Sequence, residues 1–127
     1  MCFDIDKNAE RPVAKYGWKI VEQKHSGYLY SLFYDDISWQ PDIEQRMKPG
    51  VPTSIQNRAD RQAHGGIYVY TSKRTALKAY RYWNSDEIFL MRVHIDPKDW
   101  LFTSTDGTQA TYRGVTPCEV QPEFDWI

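Results

Sequence analysis

A short stretch in the middle of the sequence is rich in cationic side chains. Residues 58–81 have a net charge of +5 in a chain whose total is −1, from one acid, Asp60, and six cations: Arg58, Arg61, Lys73, Arg74, Lys78 and Arg81. If residues 73–83 form a helix, Arg74, Lys78 and Arg81 share one face and repel one another. An anionic partner, such as a phosphate, a nucleic-acid backbone or the acidic face of a protein, would relieve that repulsion. The alternative is a solvated charged face balanced by Asp86 and Glu87.

Aromatic and further cationic residues are expected on nearby strands. Alternation puts Tyr68 and Tyr70 on one face of a strand, and Arg92 and His94 on one face of another strand that is otherwise apolar. A tyrosine-rich face could stack a base or nicotinamide ring while the helix cations neutralise a phosphate. A buried Arg92 would need a partner for its charge. The alternative is that these side chains belong to the core or to half-buried sheet surface. The candidate ligand-binding residues are Arg74, Lys78, Arg81, Tyr68, Tyr70, Arg92 and His94.

The sequence carries no common signature of a metal site or of catalysis. His25, His64 and His94 are too far apart for the histidine spacings of zinc fingers or zinc-protease helices. Cys2 and Cys118 lie near opposite ends of the sequence and form neither a disulfide framework nor a zinc ligand set. No phosphate-binding glycine loop or dinucleotide fingerprint is found. We therefore expect no metal and no cofactor, and a binding protein rather than an enzyme.

Length and composition favour one soluble domain. The 127 residues, 41% of them hydrophobic, are expected to form a single domain over 1–127 with one core. The near-balance of charge disfavours a protein that coats polyanions, so a nucleic-acid partner is possible but not favoured. No apolar run approaches the roughly 18 residues of a membrane span, and the first residues lack the pattern of a signal peptide. These features predict a cytoplasmic protein without a membrane partner; they leave the oligomeric state open.

Alternating apolar residues predict a mostly antiparallel, twisted sheet. Strands are expected at 16–23, 28–34, 67–71, 88–95 and 111–119. The polar connection 24–27 is short enough to make the first two strands antiparallel neighbours. Within 101–113, the dipeptide Asp106-Gly107 suits a type I′ hairpin turn.

One helix and one long loop complete the predicted architecture. Ser72 is a good N-cap, and residues 73–83 carry an apolar stripe that suits packing on a sheet, made of Ala76, Ala79, Tyr80 and Trp83. Three prolines and a glycine break the pattern after the second strand, so a loop is expected at about 35–57. Loops of that length are often functional, and this one is a candidate rim or lid of a binding pocket. The fold class is α+β: a mostly antiparallel sheet with the helix 73–83 packed on it.

The chain as a whole resembles a loosely defined group of small, uncharacterised proteins of bacteriophages and prophages. The resemblance rests on Met-Cys at the start, WKIV (18–21), YSLFY (30–34), GGIYVY (65–70), RVHI (92–95) and TYRGVT (111–116). It implies an accessory protein of a mobile element that modifies or counters a host function. In that case the partner is a host protein or a small anionic ligand such as a nucleotide.

The segment GGIYVYTSKRTALKAY (65–80) resembles the strand-to-helix segment of ADP-ribosyltransferase-like domains. Tyr68, Thr71 and Ser72 match the element that packs on nicotinamide in that family. Where the family has a first-strand His or Arg, this sequence offers Lys19, and the late glutamate would be Glu119 or Glu123. This resemblance implies an NAD-dependent transferase as the alternative function, or the shared fold without the activity. A virion or assembly component is a second alternative.

Overall fold

The computed structural model describes residues 4–31, 38–47, 54–55, 63–64, 66–83, 87–122 and 124–126. The strands are β1 (Tyr16–Gln23), β2 (Leu29–Ser31), β3 (Ser38–Trp39), β4 (Gln45–Arg46), β5 (Ser54–Ile55), β6 (Ala63–His64), β7 (Ile67–Tyr70), β8 (Ile88–Ile95), β9 (Trp100–Thr103), β10 (Gln109–Tyr112) and β11 (Gly114–Gln121). Among these residues the one α-helix is α1 (Lys73–Trp83), and a short 3-10 helix covers Pro97–Asp99.

Nine of these strands form one open sheet with the order β4-β11-β8-β1-β7-β10-β9, to which β2 and β3 are attached. β5 and β6 form a separate two-stranded ribbon. All the strand pairings that the structure describes are antiparallel. Together with α1, this confirms the α+β class and the mostly antiparallel sheet.

The sheet forks along one edge of β1. Trp18 pairs with Tyr70 of β7, whereas the pairing with β2 begins at Val21. The other edge of β1 pairs continuously with β8 from Tyr16 to Glu22. The two residues between the β7 and β2 pairings therefore lie where two strands separate, and this fork determines the surroundings of Lys19.

Alternation along the strands gives the sheet two apolar faces. The inner face carries the larger core, which includes Val21, Leu29, Trp39, Val69, Met91, Val93, Ile95, Tyr112 and Val115. Phe124 packs edge-on against Phe89 at 4.9 Å between ring centroids and covers part of this core. The outer face carries Ile20, Ile88 and Leu90, and α1 packs on it through the fully buried Ala76.

Local signals explain why α1 forms where the sequence predicts it. The Ser72 Oγ accepts a hydrogen bond from the backbone N–H of Thr75 at 3.2 Å, which satisfies one donor of the first turn. Ala76 is buried, and Leu77, Ala79 and Tyr80 are partly buried against the sheet. The predicted bounds of this helix and of the strand 88–95 are both confirmed.

Several local predictions need correction. Within the predicted loop 35–57, residues 38–39, 45–46 and 54–55 form short strands; residues 35–37, 48–53 and 56–57 lie outside the described part. The second strand, predicted at 28–34, begins at Leu29 and is described as far as Ser31, and residues 32–34 lie outside the described part. Residues 111–112 belong to β10, so the last strand begins at Gly114.

The hairpin between β9 and β10 forms, but its turn is not type I′. That turn needs a positive φ at both central residues, and Gly107 (φ 74°) has one whereas Asp106 does not. The loop is longer instead, because Asp106 Oδ1 accepts hydrogen bonds from the Ser104 hydroxyl and from the backbone N–H and hydroxyl of Thr108. These bonds to the charged form hold the pKa of Asp106 below its usual range.

Candidate functional site

The outward face of α1 carries the three cations that the sequence predicts there. Arg74, Lys78 and Arg81 are exposed, on the side of the helix opposite the buried Ala76. We call these three residues the α1 cation row. Tyr82 lies one residue beyond Arg81 and is 83% exposed, so an aromatic ring borders the row.

The cations of this row have no ion pair within the described part of the chain. The salt bridges found there use Lys24, Arg46 and Arg92 as the cationic partners. Asp86, one of the two acids expected to balance the row, lies outside the described residues. Three like charges thus share one helix face without a described counter-charge, an arrangement that costs a few tenths of a kcal/mol per i, i+4 pair.

The two predicted tyrosines share the outer sheet face but do not join the α1 cation row. Tyr70 packs in the cluster beneath α1, and desolvation raises the pKa of its phenol. Tyr68 packs against Ile5 and Phe102 instead. The structure therefore places one ring under the helix and the other in a separate cluster.

Arg92 and His94 lie on the outer face of β8 and both contact Tyr16. The Arg92 guanidinium carbon lies 4.7 Å from the centroid of the Tyr16 ring, a cation–π contact. The exposed His94 meets the same ring edge-on at 5.9 Å between ring centroids. Arg92 Nη2 also pairs with Glu119 Oε2 at 3.2 Å, which supplies the partner that the sequence requires for a cation on an apolar strand.

A β-bulge places this partner. The register between β8 and β11 pairs Pro117 with Val93 and then Glu119 with Arg92, so Cys118 is an extra residue on β11. Without the bulge, the position opposite Arg92 would be occupied by Cys118. The bulge thus brings a carboxylate to the outer face directly across from the guanidinium.

A cleft opens on the outer face beside the start of α1. It has a volume of about 100 Å³ and is lined by Trp18, Lys73, Leu90, Arg92, Glu119 and Gln121. The Gln121 amide donates to Glu119 Oε1 at 2.9 Å, so each oxygen of this carboxylate has a partner. Of the predicted site residues, Arg92 alone lines this cleft.

A buried lysine is the feature that the site prediction missed. Lys19 lies on the inner face at the fork of the sheet, where its amine donates to the backbone carbonyl of Tyr68 and lies 5.4 Å from the Trp39 ring centroid. Desolvation lowers its pKa from 10.5 to about 8. The alternation of Gly17, Lys19 and Val21 could have revealed this position, because it puts the lysine on the same strand face as a core valine.

Residues matched to the ADP-ribosyltransferase resemblance serve local structure. The Thr71 hydroxyl donates to the carbonyl of Gly107, and Ser72 caps α1. Lys19 faces inward, whereas Glu119 lies on the outer face. Glu123 is outside the described residues. The structure does not bring the matched lysine and Glu119 to one face of the sheet.

In the part of the chain that the structure describes, no group of three or more His, Cys, Asp or Glu residues is arranged to hold a metal ion. No helix within the described ranges is long and apolar enough to cross a membrane. Comparisons with protein-family models, with curated proteins and with solved structures found no match to this chain.

Proposed function

We propose that this chain is a non-catalytic binding protein that recognises the acidic surface of a partner protein through the α1 cation row. The observation that carries the proposal is the exposure of Arg74, Lys78 and Arg81 on one helix face without a described counter-charge. The resemblance to phage and prophage proteins supports a host protein as the partner. Binding would then modulate or counter a function of the host.

The physical basis is electrostatic complementarity. Helix positions 74 and 81 are about 10 Å apart along the axis, so the row presents its charges over roughly two turns. An acidic surface that approaches it removes the mutual repulsion and steers association over distances up to about 8 Å at physiological salt. Exposed Tyr82 beside the row adds an aromatic group of the kind enriched in protein interfaces.

The shape of the surface favours a protein over a nucleotide. Small ligands bind in concave sites that surround most of their surface, whereas the row stands on the outward face of a helix. Tyr70 lies beneath α1 and Tyr68 packs elsewhere, so neither ring accompanies the row as a stacking platform. These placements support recognition of an extended acidic face.

Charge reversal with a matched control tests the proposal. The test variant replaces Arg74, Lys78 and Arg81 by Glu, and the control variant replaces Lys7, Arg11 and Lys98, three exposed cations elsewhere on the chain, by Glu. Both change the net charge equally. The probe is a fluorescent oligo-glutamate peptide, followed by anisotropy, with circular dichroism to verify folding. ATP and a single-stranded oligonucleotide are titrated in parallel.

We expect the helix variant to weaken peptide binding by about tenfold or more, while the control stays near wild type. Binding of the peptide to wild type should also weaken as salt is raised. Equal losses in both variants would show a nonspecific charge effect and would overturn the proposal. Saturable binding of ATP, without binding of the peptide, would replace it with the nucleotide function.

The two alternative functions have their own tests with the same preparation. Incubation with labelled NAD and host lysate measures ADP-ribosyl transfer, and transferred label would establish the enzyme in place of the binding protein. Light scattering measures self-association, which a virion or assembly component requires. A monomer that binds the acidic peptide and transfers no label supports the proposed function.

A further inference from the structure

The cleft beside the start of α1 has a fixed guanidinium with spare donors. Tyr16 stacks on Arg92, and Glu119 pairs with its Nη2 atom. The Nε–H is buried and has no hydrogen-bond partner in the described part of the chain, whereas the side chain as a whole is 41% exposed, so the donors that a ligand can reach are those of the terminal nitrogens. A planar guanidinium held on one ring and one carboxylate is oriented in advance for a further acceptor, and less entropy is lost when that acceptor binds.

The charge balance of the cleft favours an anion. Lys73 and Arg92 contribute two positive charges, and Glu119 contributes one negative charge. Glu119 already has Arg92 on one oxygen and Gln121 on the other. Lys73 is exposed and has no salt bridge within the described ranges. Each oxygen of the one carboxylate in the cleft thus has a partner, while cationic donors remain.

The remaining wall of the cleft is apolar. Trp18 and Leu90 line it, and both belong to the cluster that packs beneath α1. An indole ring offers a flat surface on which a planar group can stack, a contact worth about 0.5–1.5 kcal/mol between aromatic rings. A volume of about 100 Å³ is on the scale of a single small ring.

From these observations we propose a second binding site, independent of the α1 cation row. The cleft binds a small planar organic anion, whose carboxylate or phosphate lies against Arg92 and Lys73 and whose ring lies against Trp18. The surroundings of Arg92 orient it for this contact. The bulge at Cys118 is part of the site, because it aligns Glu119 with Arg92.

Titration with two simple probes tests the site. Benzoate and phenyl phosphate carry the two head groups on one ring, and benzyl alcohol carries the ring without the charge. Binding is followed by ¹H–¹⁵N NMR at the indole N–H of Trp18 and the Nε–H of Arg92. We expect saturable shifts at both signals with at least one anion, and an affinity for benzyl alcohol lower by about tenfold or more.

Two variants locate the binding. Arg92→Lys retains the charge but loses the planar fork, and we expect it to weaken anion binding by about tenfold. The matched control, Arg113→Lys, changes an exposed arginine that does not line the cleft and should bind like wild type. Equal affinity for benzyl alcohol, linear shifts without saturation, or unchanged binding by Arg92→Lys would each overturn the proposal.

The test also separates this site from the proposed function. The triple variant of Arg74, Lys78 and Arg81 retains every residue that lines the cleft. We expect it to bind the small anion with at least a third of the wild-type affinity while it loses the acidic peptide. Loss of both ligands to the same degree would mean that one continuous surface binds them, and it would refute the independence of the two sites.

Discussion

Lys19→Met is expected to stabilise the protein at neutral pH and to lose that advantage as the pH rises. The lysine is 8% exposed, and its amine interacts with the Tyr68 carbonyl and the Trp39 ring. No described acid forms a salt bridge with it. At pH 7 the buried amine is protonated and carries a desolvation penalty. Methionine has a similar unbranched shape without the charge.

The pKa of the buried amine gives the size of the effect. Its decrease from 10.5 to about 8 corresponds to roughly 3 kcal/mol, at about 1.4 kcal/mol for each unit. The variant also loses the hydrogen bond to the Tyr68 carbonyl, which offsets about 1–2 kcal/mol. We therefore expect Lys19→Met to raise the free energy of unfolding by roughly 1–2 kcal/mol at pH 7.

The sign of the pH dependence follows from proton linkage. Between pH 8 and 10.5 the unfolded chain keeps the lysine proton whereas the folded protein has released it. The unfolded state then binds more protons, so the stability of the wild type rises with pH across this range. The methionine variant lacks this rise. The difference in the free energy of unfolding that favours Lys19→Met should therefore shrink above pH 8 and change sign near pH 9.5.

Urea unfolding at a series of pH values between about 7 and 9.5 measures this difference. The upper limit avoids a second effect on stability, which comes from Tyr112. Burial raises the pKa of its phenol to about 12, so above pH 10 the unfolded chain loses this proton before the folded protein does, and the stability falls. The control is Lys15→Met, which changes an exposed lysine directly before β1. Its difference in stability from wild type should not vary with pH in this way. A constant difference between Lys19→Met and wild type over this range would refute the reasoning.

Four further predictions concern stability and are measured by urea unfolding. Gly107→Ala should cost about 1 kcal/mol, since its φ is 74° and no heavy atom lies within 4 Å of the added methyl group. Gly66→Ala should cost clearly more, because at φ 83° its methyl group would also lie 2.9 Å from Leu101 Cδ1, and equal costs would contradict this. Ser72→Ala removes the cap of α1 and should cost about 1 kcal/mol, whereas Ser72→Gly should cost less. Leu29→Ala opens a cavity in the inner core and should cost about 2–5 kcal/mol; a cost below 1 kcal/mol would exclude its full burial.

The sequence by itself determined the elements whose signals are local. The cap at Ser72 and the stripe at 76, 79 and 80 act within one helix, so the bounds 73–83 and the outward direction of the α1 cation row were predictable. The strand 88–95 and the first antiparallel hairpin were likewise predictable from alternation and a short connection. In these elements the residues that signal the conformation lie close together in the sequence, and they agree with the packing that the sheet provides.

Tertiary structure alone decided how distant residues combine. The fork between β7 and β2 places Lys19 against Tyr68 and Trp39, and none of these contacts follows from the composition of β1. The turn at Asp106 is set by side-chain hydrogen bonds rather than by the dipeptide preference. The bulge that sets Glu119 across from Arg92 is a property of two paired strands. Pairing register and burial depend on the whole sheet, because a shift of one residue moves every side chain to the opposite face.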